Sequence, residues 1–128
     1  MNDEERAALN SLAEAVVGAA YEVSNTLGAG FLEKVYESAL LNELELRKIP
    51  AKTQVPYRVV YKERYVRDYL ADLVVDGRLL VEIKCVQQLG DVHRSQCVNY
   101  LRASNLHLAL LINFHHARMT WKRIVLGF

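Results

Sequence analysis

An Asp-Gly pair at positions 76 and 77 stands between two apolar runs, Leu73-Val74-Val75 and Leu79-Leu80-Val81, and this arrangement constrains the fold more than any other feature of the chain. Asp-Gly suits a tight turn because glycine and aspartate tolerate the positive φ that hairpin turns require. The flanking runs must then lie antiparallel and adjacent. Residues 65–75 and 78–85 therefore read as paired strands, the second apolar enough to be central in a sheet. Yet these strands carry Asp72, Glu82 and Lys84. Side chains alternate along a strand, so Glu82 and Lys84 project to one face and Ile83 to the other. Counting outward from the turn puts Asp72 close to Glu82 or one residue pair away. Charges in an apolar strand are costly to bury without partners, and such interruptions mark functional sites.

The rest of the chain supplies the layers around this hairpin. Leu9, Leu12, Val16, Ala19, Ala20, Val23 and Leu27 recur every three or four residues, which predicts an amphipathic helix over 4–26 capped by Asn2 or Asp3. Gly28-Ala29-Gly30 ends it. A second helix is expected over 31–48, with Phe31, Val35, Ala39, Leu40 and Leu44 as its apolar stripe and Ile49-Pro50 as its stop. Val55, Tyr57, Val59 and Tyr61 alternate with Gln54, Pro56 and Arg58 and predict a half-buried strand over 52–61, with Pro56 marking an edge or bulge. Residues 91–104 read as a helix with Asp91 as N-cap, 106–114 as a buried strand and 119–126 as a last strand. Three strands, a crossover helix and a further strand predict an α/β fold with a mixed sheet. No repeat or flexible linker divides the 128 residues, so one domain is expected.

Two carboxylates and an ammonium on one patch suit a divalent cation. Mg²⁺ takes oxygen ligands and keeps several waters, so Asp72, Glu82 and the Ile83 carbonyl form a reasonable donor set, with Mn²⁺ also accepted. Lys84 is then placed to hold the attacking water, and phosphodiester hydrolysis is the reaction such a centre performs. The alternative for the same residues is a cross-strand ion pair on a solvated face.

The segment Gly28-Ala29-Gly30-Phe31-Leu32-Glu33-Lys34-Val35-Tyr36 resembles the signature of the GxxExxY proteins through Gly30, Glu33 and Tyr36, followed by Glu37, Ala39 and Leu40. The likeness continues through Asp72-Leu73-Val74-Val75, Val81-Glu82-Ile83-Lys84, Gln96 with Tyr100-Leu101, and Leu111-Ile112-Asn113-Phe114, spanning about residues 10 to 125. That family is grouped with the PD-(D/E)XK nucleases. The resemblance implies a three-layer core with a mixed central sheet flanked by helices, and two N-terminal helices. It implies a metal-dependent phosphodiesterase-like core and supplies no substrate; a Mg²⁺-dependent nuclease-like enzyme acting on nucleic acid, with DNA as substrate, is the function expected of this chain. Asp72, Glu82 and Lys84 match its motif residues, while Ala71 stands where the superfamily name has proline. Glu33 matches the signature glutamate and is expected as an additional metal ligand. Gln96 resembles the polar residue that supports such sites from the following helix, with Tyr100 and His93 on the same side.

Charge distribution is compatible with a polyphosphate partner. Residues 1–50 carry nine acids and four bases, whereas residues 51–128 carry six acids and twelve bases. Lys122 and Arg123 beside Trp121, and the loop of His115, His116 and Arg118, are further candidate contacts, though a solvated face is the plainer reading. A fold that binds nucleic acid or a protein without efficient catalysis is the competing function, and a homodimer through the alanine-rich first helix is compatible with either. The acidic start, Asn2-Asp3-Glu4-Glu5, lacks the pattern of a signal peptide and no run is long enough to span a bilayer, so a cytoplasmic protein with free thiols at Cys85 and Cys97 is expected.

Overall fold

A computed structural model describes residues 1–128. Helix α1 runs Asp3–Leu27; Asn2 caps it by accepting from the Glu5 N–H at 2.8 Å, and Gly28, at φ 69°, ends it. Helix α2 runs Glu33–Leu46. It stops earlier than expected, because Arg47 leaves the helix and Lys48 turns left-handed at φ 60° before Pro50 is reached. Its buried stripe is also rotated from the expected one. Tyr36, Leu40 and Leu44 face inward, while Phe31 and Val35 are exposed. Tyr36 sets that rotation: its ring stacks on Phe114 at 4.6 Å and its hydroxyl donates to the Gly28 carbonyl at 2.6 Å.

Strands β1 (Ala51–Tyr61), β2 (Arg64–Val75), β3 (Leu79–Lys84), β4 (Leu108–Asn113) and β5 (Thr120–Val125) form one sheet in the order β1-β2-β3-β4-β5. Pairing is antiparallel except between β3 and β4, which are parallel because α3 (Asp91–Ser104) crosses over between them. The N-cap of α3 is Gly90 rather than Asp91. Helices α1 and α2 cover one face of the sheet, where Leu73, Val75, Val81, Ile83, Leu110 and Ile112 meet Val16, Ala19, Ala20, Leu40 and Leu44. Helix α3 covers the other, where Leu80, Ala109 and Leu111 meet Cys97 and Leu101. The α/β, three-layer expectation and the two N-terminal helices are what the structure has. The alanine stripe of α1 packs on this chain's own sheet. No helix is long and apolar enough to cross a membrane.

One expectation fails along β1. Val59 and Tyr61 are exposed, as is every residue from 58 to 68. Strand β3 pairs with β2 only from Leu73↔Val81 to Val75↔Leu79, so the outer part of the β1–β2 hairpin runs past the sheet with no third strand and no helix over it. Alternation predicts burial only where a neighbouring layer exists.

Candidate metal centre

The turn after β2 takes three residues, Asp76, Gly77 and Arg78, closed by the Arg78 N–H on the Val75 carbonyl at 3.0 Å. The extra residue fixes the register at Val75↔Leu79. One step past the last pair, Leu73↔Val81, Asp72 therefore stands opposite Glu82. The two strands part here, and the Asp72 side chain replaces the missing rung by accepting from the Ile83 N–H at 2.8 Å. Ile83 thus turns its backbone toward β2 beyond the ladder's end, and its carbonyl faces the same edge.

Both flanking strands are irregular at this level. Gln54, opposite Asp72 on β1, drops out of the ladder and sits at φ 52°. On β2, Ala71 and Val74 both pack on the α3 side although they are three residues apart. Such a local break re-aims side chains at a strand end.

Glu82 and Lys84 lie on the α3 face, on the same side as Leu80. Glu82 is only 4% exposed, and its Oε1 has no hydrogen-bond partner. Burial pushes its carboxyl up to about 8; the Lys84 ammonium and the Asp72 backbone N–H oppose the rise, and Glu37 and Glu33 add to it. Asp72 is also raised, chiefly by burial, which the Ile83 N–H counters, with Glu37 raising it and Lys34 and Lys84 lowering it. Gln96 on α3 likewise has a buried Oε1 without a partner. Its helix neighbours Cys97 and Tyr100 feel Glu82: burial and then Glu82 raise both, the thiol to about 12. Cys85 and Cys97 are both free.

Glu33 stands apart from this group. Its Oε2 accepts from the Cys85 N–H at 3.0 Å, tying the start of α2 to the end of β3. The Gly30, Glu33 and Tyr36 signature thus acts as a staple, with Tyr36 closing the α1–α2 turn and Glu33 holding the strand end. The acid that α2 brings toward Asp72 is Glu37, 7% exposed, whose Oε1 accepts from Gln54 Nε2 at 2.6 Å and whose Oε2 meets Lys34 Nζ at 3.4 Å. Sequence reasoning passed over Glu37 and Gln54 as site residues. The available signal was an acid between Tyr36 and Leu40, one turn after Glu33 on the same helix side.

His93 is spent on its own helix, its Nδ1 accepting from the Gly90 N–H at 3.0 Å. His116 binds the Gln87 carbonyl through Nε2 at 2.8 Å, and Arg118 stacks over Tyr21. Trp121 is partly exposed on β5, where Arg123 lies over Phe128. A groove of about 760 Å³ opens past the end of β3 between Gly30, Phe31, Glu33, Cys85 and His115, and neither Asp72 nor Glu82 lines it.

The donor set fits a hard cation. Its ligands are oxygens, and Glu82 keeps an unpartnered buried oxygen while burial discourages its charge, a cost that a bound cation removes. No three His, Cys, Asp or Glu side chains converge as they stand, so a cation here would draw on Asp72, Glu82 and the Ile83 carbonyl and keep several waters.

Comparison with known proteins bears on the family and the fold. The sequence profile of a family described as the PD-(D/E)XK nuclease superfamily matches residues 10–124. A solved structure described as "Crystal structure of SSO0001" is similar in fold, with a TM-score of 0.58 and 17% identity over 74% of this chain. The chain spans 50% of the length of that structure. No curated protein matches the chain significantly.

Proposed function

The chain belongs to the PD-(D/E)XK nuclease superfamily, and from that premise we propose that it is a metal-dependent phosphodiesterase acting on DNA, with Asp72, Glu82 and Lys84 at its centre. The observation that carries this reading is the buried, unpartnered Glu82 carboxylate oxygen across the parted strands from Asp72. Asp72, Glu82 and the Ile83 carbonyl would hold Mg²⁺ or Mn²⁺, with Glu37 and Glu33 supplying negative charge from α2. Such a cation, when bound, strengthens water as a nucleophile and offsets charge on the phosphate. Lys84 shares Glu82's face and positions the attacking water against the phosphorus. The water oxygen bonds to phosphorus, the bridging P–O bond breaks, and a phosphate monoester and an alcohol result. Gln96, reaching in from α3, orients Lys84 or the substrate through its free carbonyl oxygen.

Cleavage of DNA and RNA substrates with Mg²⁺ or Mn²⁺ tests this, with Lys84→Ala as the control. Wild-type cleavage that Lys84→Ala abolishes supports the reading; cleavage indifferent to that change overturns it. A second reading, a nuclease-fold module that binds without cleaving, draws on the absence of three converging acids. Mn²⁺ titration separates the two: no affinity, or affinity unchanged by Asp72→Asn, favours the binding module.

A further inference from the structure

The structure assigns a partner to the β1–β2 arm: we infer that residues 58–68 form a two-stranded ribbon that enters the major groove of duplex DNA, which makes the substrate of the neighbouring centre double-stranded DNA. The inference rests on the nucleic-acid reading for its substrate, and on the arm itself for its mode of binding.

Beyond Leu73 the strand β2 has only β1 for a neighbour. The arm itself is about 15 Å long, at some 3.3 Å per residue. The major groove of B-form DNA, about 12 Å wide and 8.5 Å deep, admits a two-stranded ribbon. The A-form major groove of duplex RNA is too narrow for one. A bulge between Val59 and Val60 adds twist near the tip, which helps a ribbon follow a curved groove.

The arm's composition suits that partner. Arg58, Lys62, Arg64 and Arg67 outnumber Glu63 and Asp68. The Arg58 guanidinium lies 5.0 Å over the Tyr65 ring and Lys62 Nζ 5.5 Å from that of Tyr61, so ring faces hold two of these cations. Val59, Val60, Tyr61, Tyr65 and Val66 are exposed, an apolar surface that a free ribbon carries as a liability unless a partner covers it. Two copies of this chain pairing through their arms would oppose like charges.

Backbone and packing agree. The tip is a two-residue turn whose central residues, Lys62 and Glu63, both have positive φ, 48° and 67°, where asparagine and glycine are the comfortable choices. Strain of this kind persists at functional sites. At the root, Tyr57 stacks on Tyr69 at 6.3 Å and Tyr69 on Tyr100 of α3 at 3.7 Å, fixing the arm to the helix that covers the metal centre. Arg67 and Asp72 are on one strand, about 17 Å apart. A ribbon in the groove thus sets Asp72 about half a duplex turn away.

The test uses the full chain in EDTA and a fluorescent 30-base-pair DNA duplex, with a duplex RNA of the same sequence, read by anisotropy across a salt series. Arg58→Ala/Arg64→Ala/Arg67→Ala is compared with wild type and with the corresponding triple lysine variant. Wild type is expected to prefer duplex DNA. The alanine variant is expected to bind it at least ~10-fold more weakly, with a salt slope lower by about 2–3. The lysine variant should recover that slope, and all three proteins should melt alike. DNA affinity unchanged in the alanine variant overturns the ribbon, as does duplex RNA binding equally well, or sedimentation showing an arm-dependent dimer that binds no duplex. The two readings fail separately. An unaffected alanine variant beside a wild type whose cleavage Lys84→Ala abolishes removes the ribbon alone. Arm-dependent DNA binding without cleavage in Mg²⁺ or Mn²⁺ removes the phosphodiesterase alone.

Discussion

The two ends of β2 are built from similar residues and meet opposite fates. At its C-terminal end Ala71, Leu73, Val74 and Val75 are buried between the helical layers, and at its N-terminal end Tyr65 and Val66 stand in solvent. Strand propensity does not separate them; the reach of β3 does, since it pairs with only three residues of β2. Where that ladder stops, the backbone opens and Asp72 takes over a rung. The point at which the sheet loses its third strand is thus also the point at which a carboxylate is presented, and in the proposed reading root and arm would divide the labour of holding a reactive centre and holding a substrate.

The largest expected effect separates the two ends by activity. Lys84→Ala at the root should lower phosphodiester cleavage by ~10²–10⁴-fold while duplex affinity in EDTA stays near wild type. Arm variants should do the reverse, losing affinity while Mn²⁺ titration is unchanged. A Lys84→Ala protein that loses binding and cleavage in parallel would erase the division.

A second contrast uses pH. In the metal-free fold Glu82 is raised to about 8 from an ordinary value of 4.5, so between these pH values the folded state holds a proton that the unfolded state has released. This group therefore weakens the fold as pH rises through that window and adds no further penalty above it. Glu82→Gln, neutral throughout, should match wild type near pH 4 and be more stable at pH 8.5, by at most about 5 kcal/mol in urea unfolding. Saturating Mg²⁺ should shrink the difference by stabilising wild type alone. Arm variants should show no such pH dependence, and a flat Glu82→Gln difference would mean that this carboxylate is not buried in charged form.

Packing supplies the third contrast. Leu110→Ala, in the fully buried core against α1, should cost about 2–5 kcal/mol. Val60→Ala, in the arm, should change stability by less than about 0.5 kcal/mol. Thermal melts would register the first as a shift of roughly 8–20 °C and the second as almost none. Equal shifts would show the arm to be packed in solution.

How much of this was legible follows the same boundary. Asp76-Gly77 announced the hairpin, and counting from it brought Asp72 to Glu82 within one residue, the ambiguity being whether Arg78 belonged to the turn. Local pattern also gave α1, whose three-and-four spacing matches its buried face. It could not give the rotation of α2, because Val35 and Tyr36 are both acceptable inward residues and only the stack on Phe114 decides between them. With that rotation illegible, nothing in the local pattern marks Glu37 as the acid that α2 brings toward Asp72, and Glu33 stands out only through its match to the family signature. The exposure of Val59 and Tyr61 was illegible for a related reason: it depends on how far β3 extends along a different segment of the chain.

The smallest effect probes the tip. Glu63 occupies φ 67°, a conformation costing a residue with a β-carbon about 1–2 kcal/mol, of which glycine's extra chain freedom returns part. Glu63→Gly should therefore stabilise the turn by about 0.5–1 kcal/mol, slowing amide exchange over residues 58–68 by roughly two- to five-fold. The global melting temperature should hardly move, because the arm contributes nothing to the buried core. Lys62 stays in place and one negative charge leaves, so duplex affinity should hold or tighten slightly. A rise in melting temperature comparable to the fall in Leu110→Ala would couple tip to core and contradict the separation. Slower exchange in the arm alone would place the strain in a segment whose stability the rest of the fold does not share.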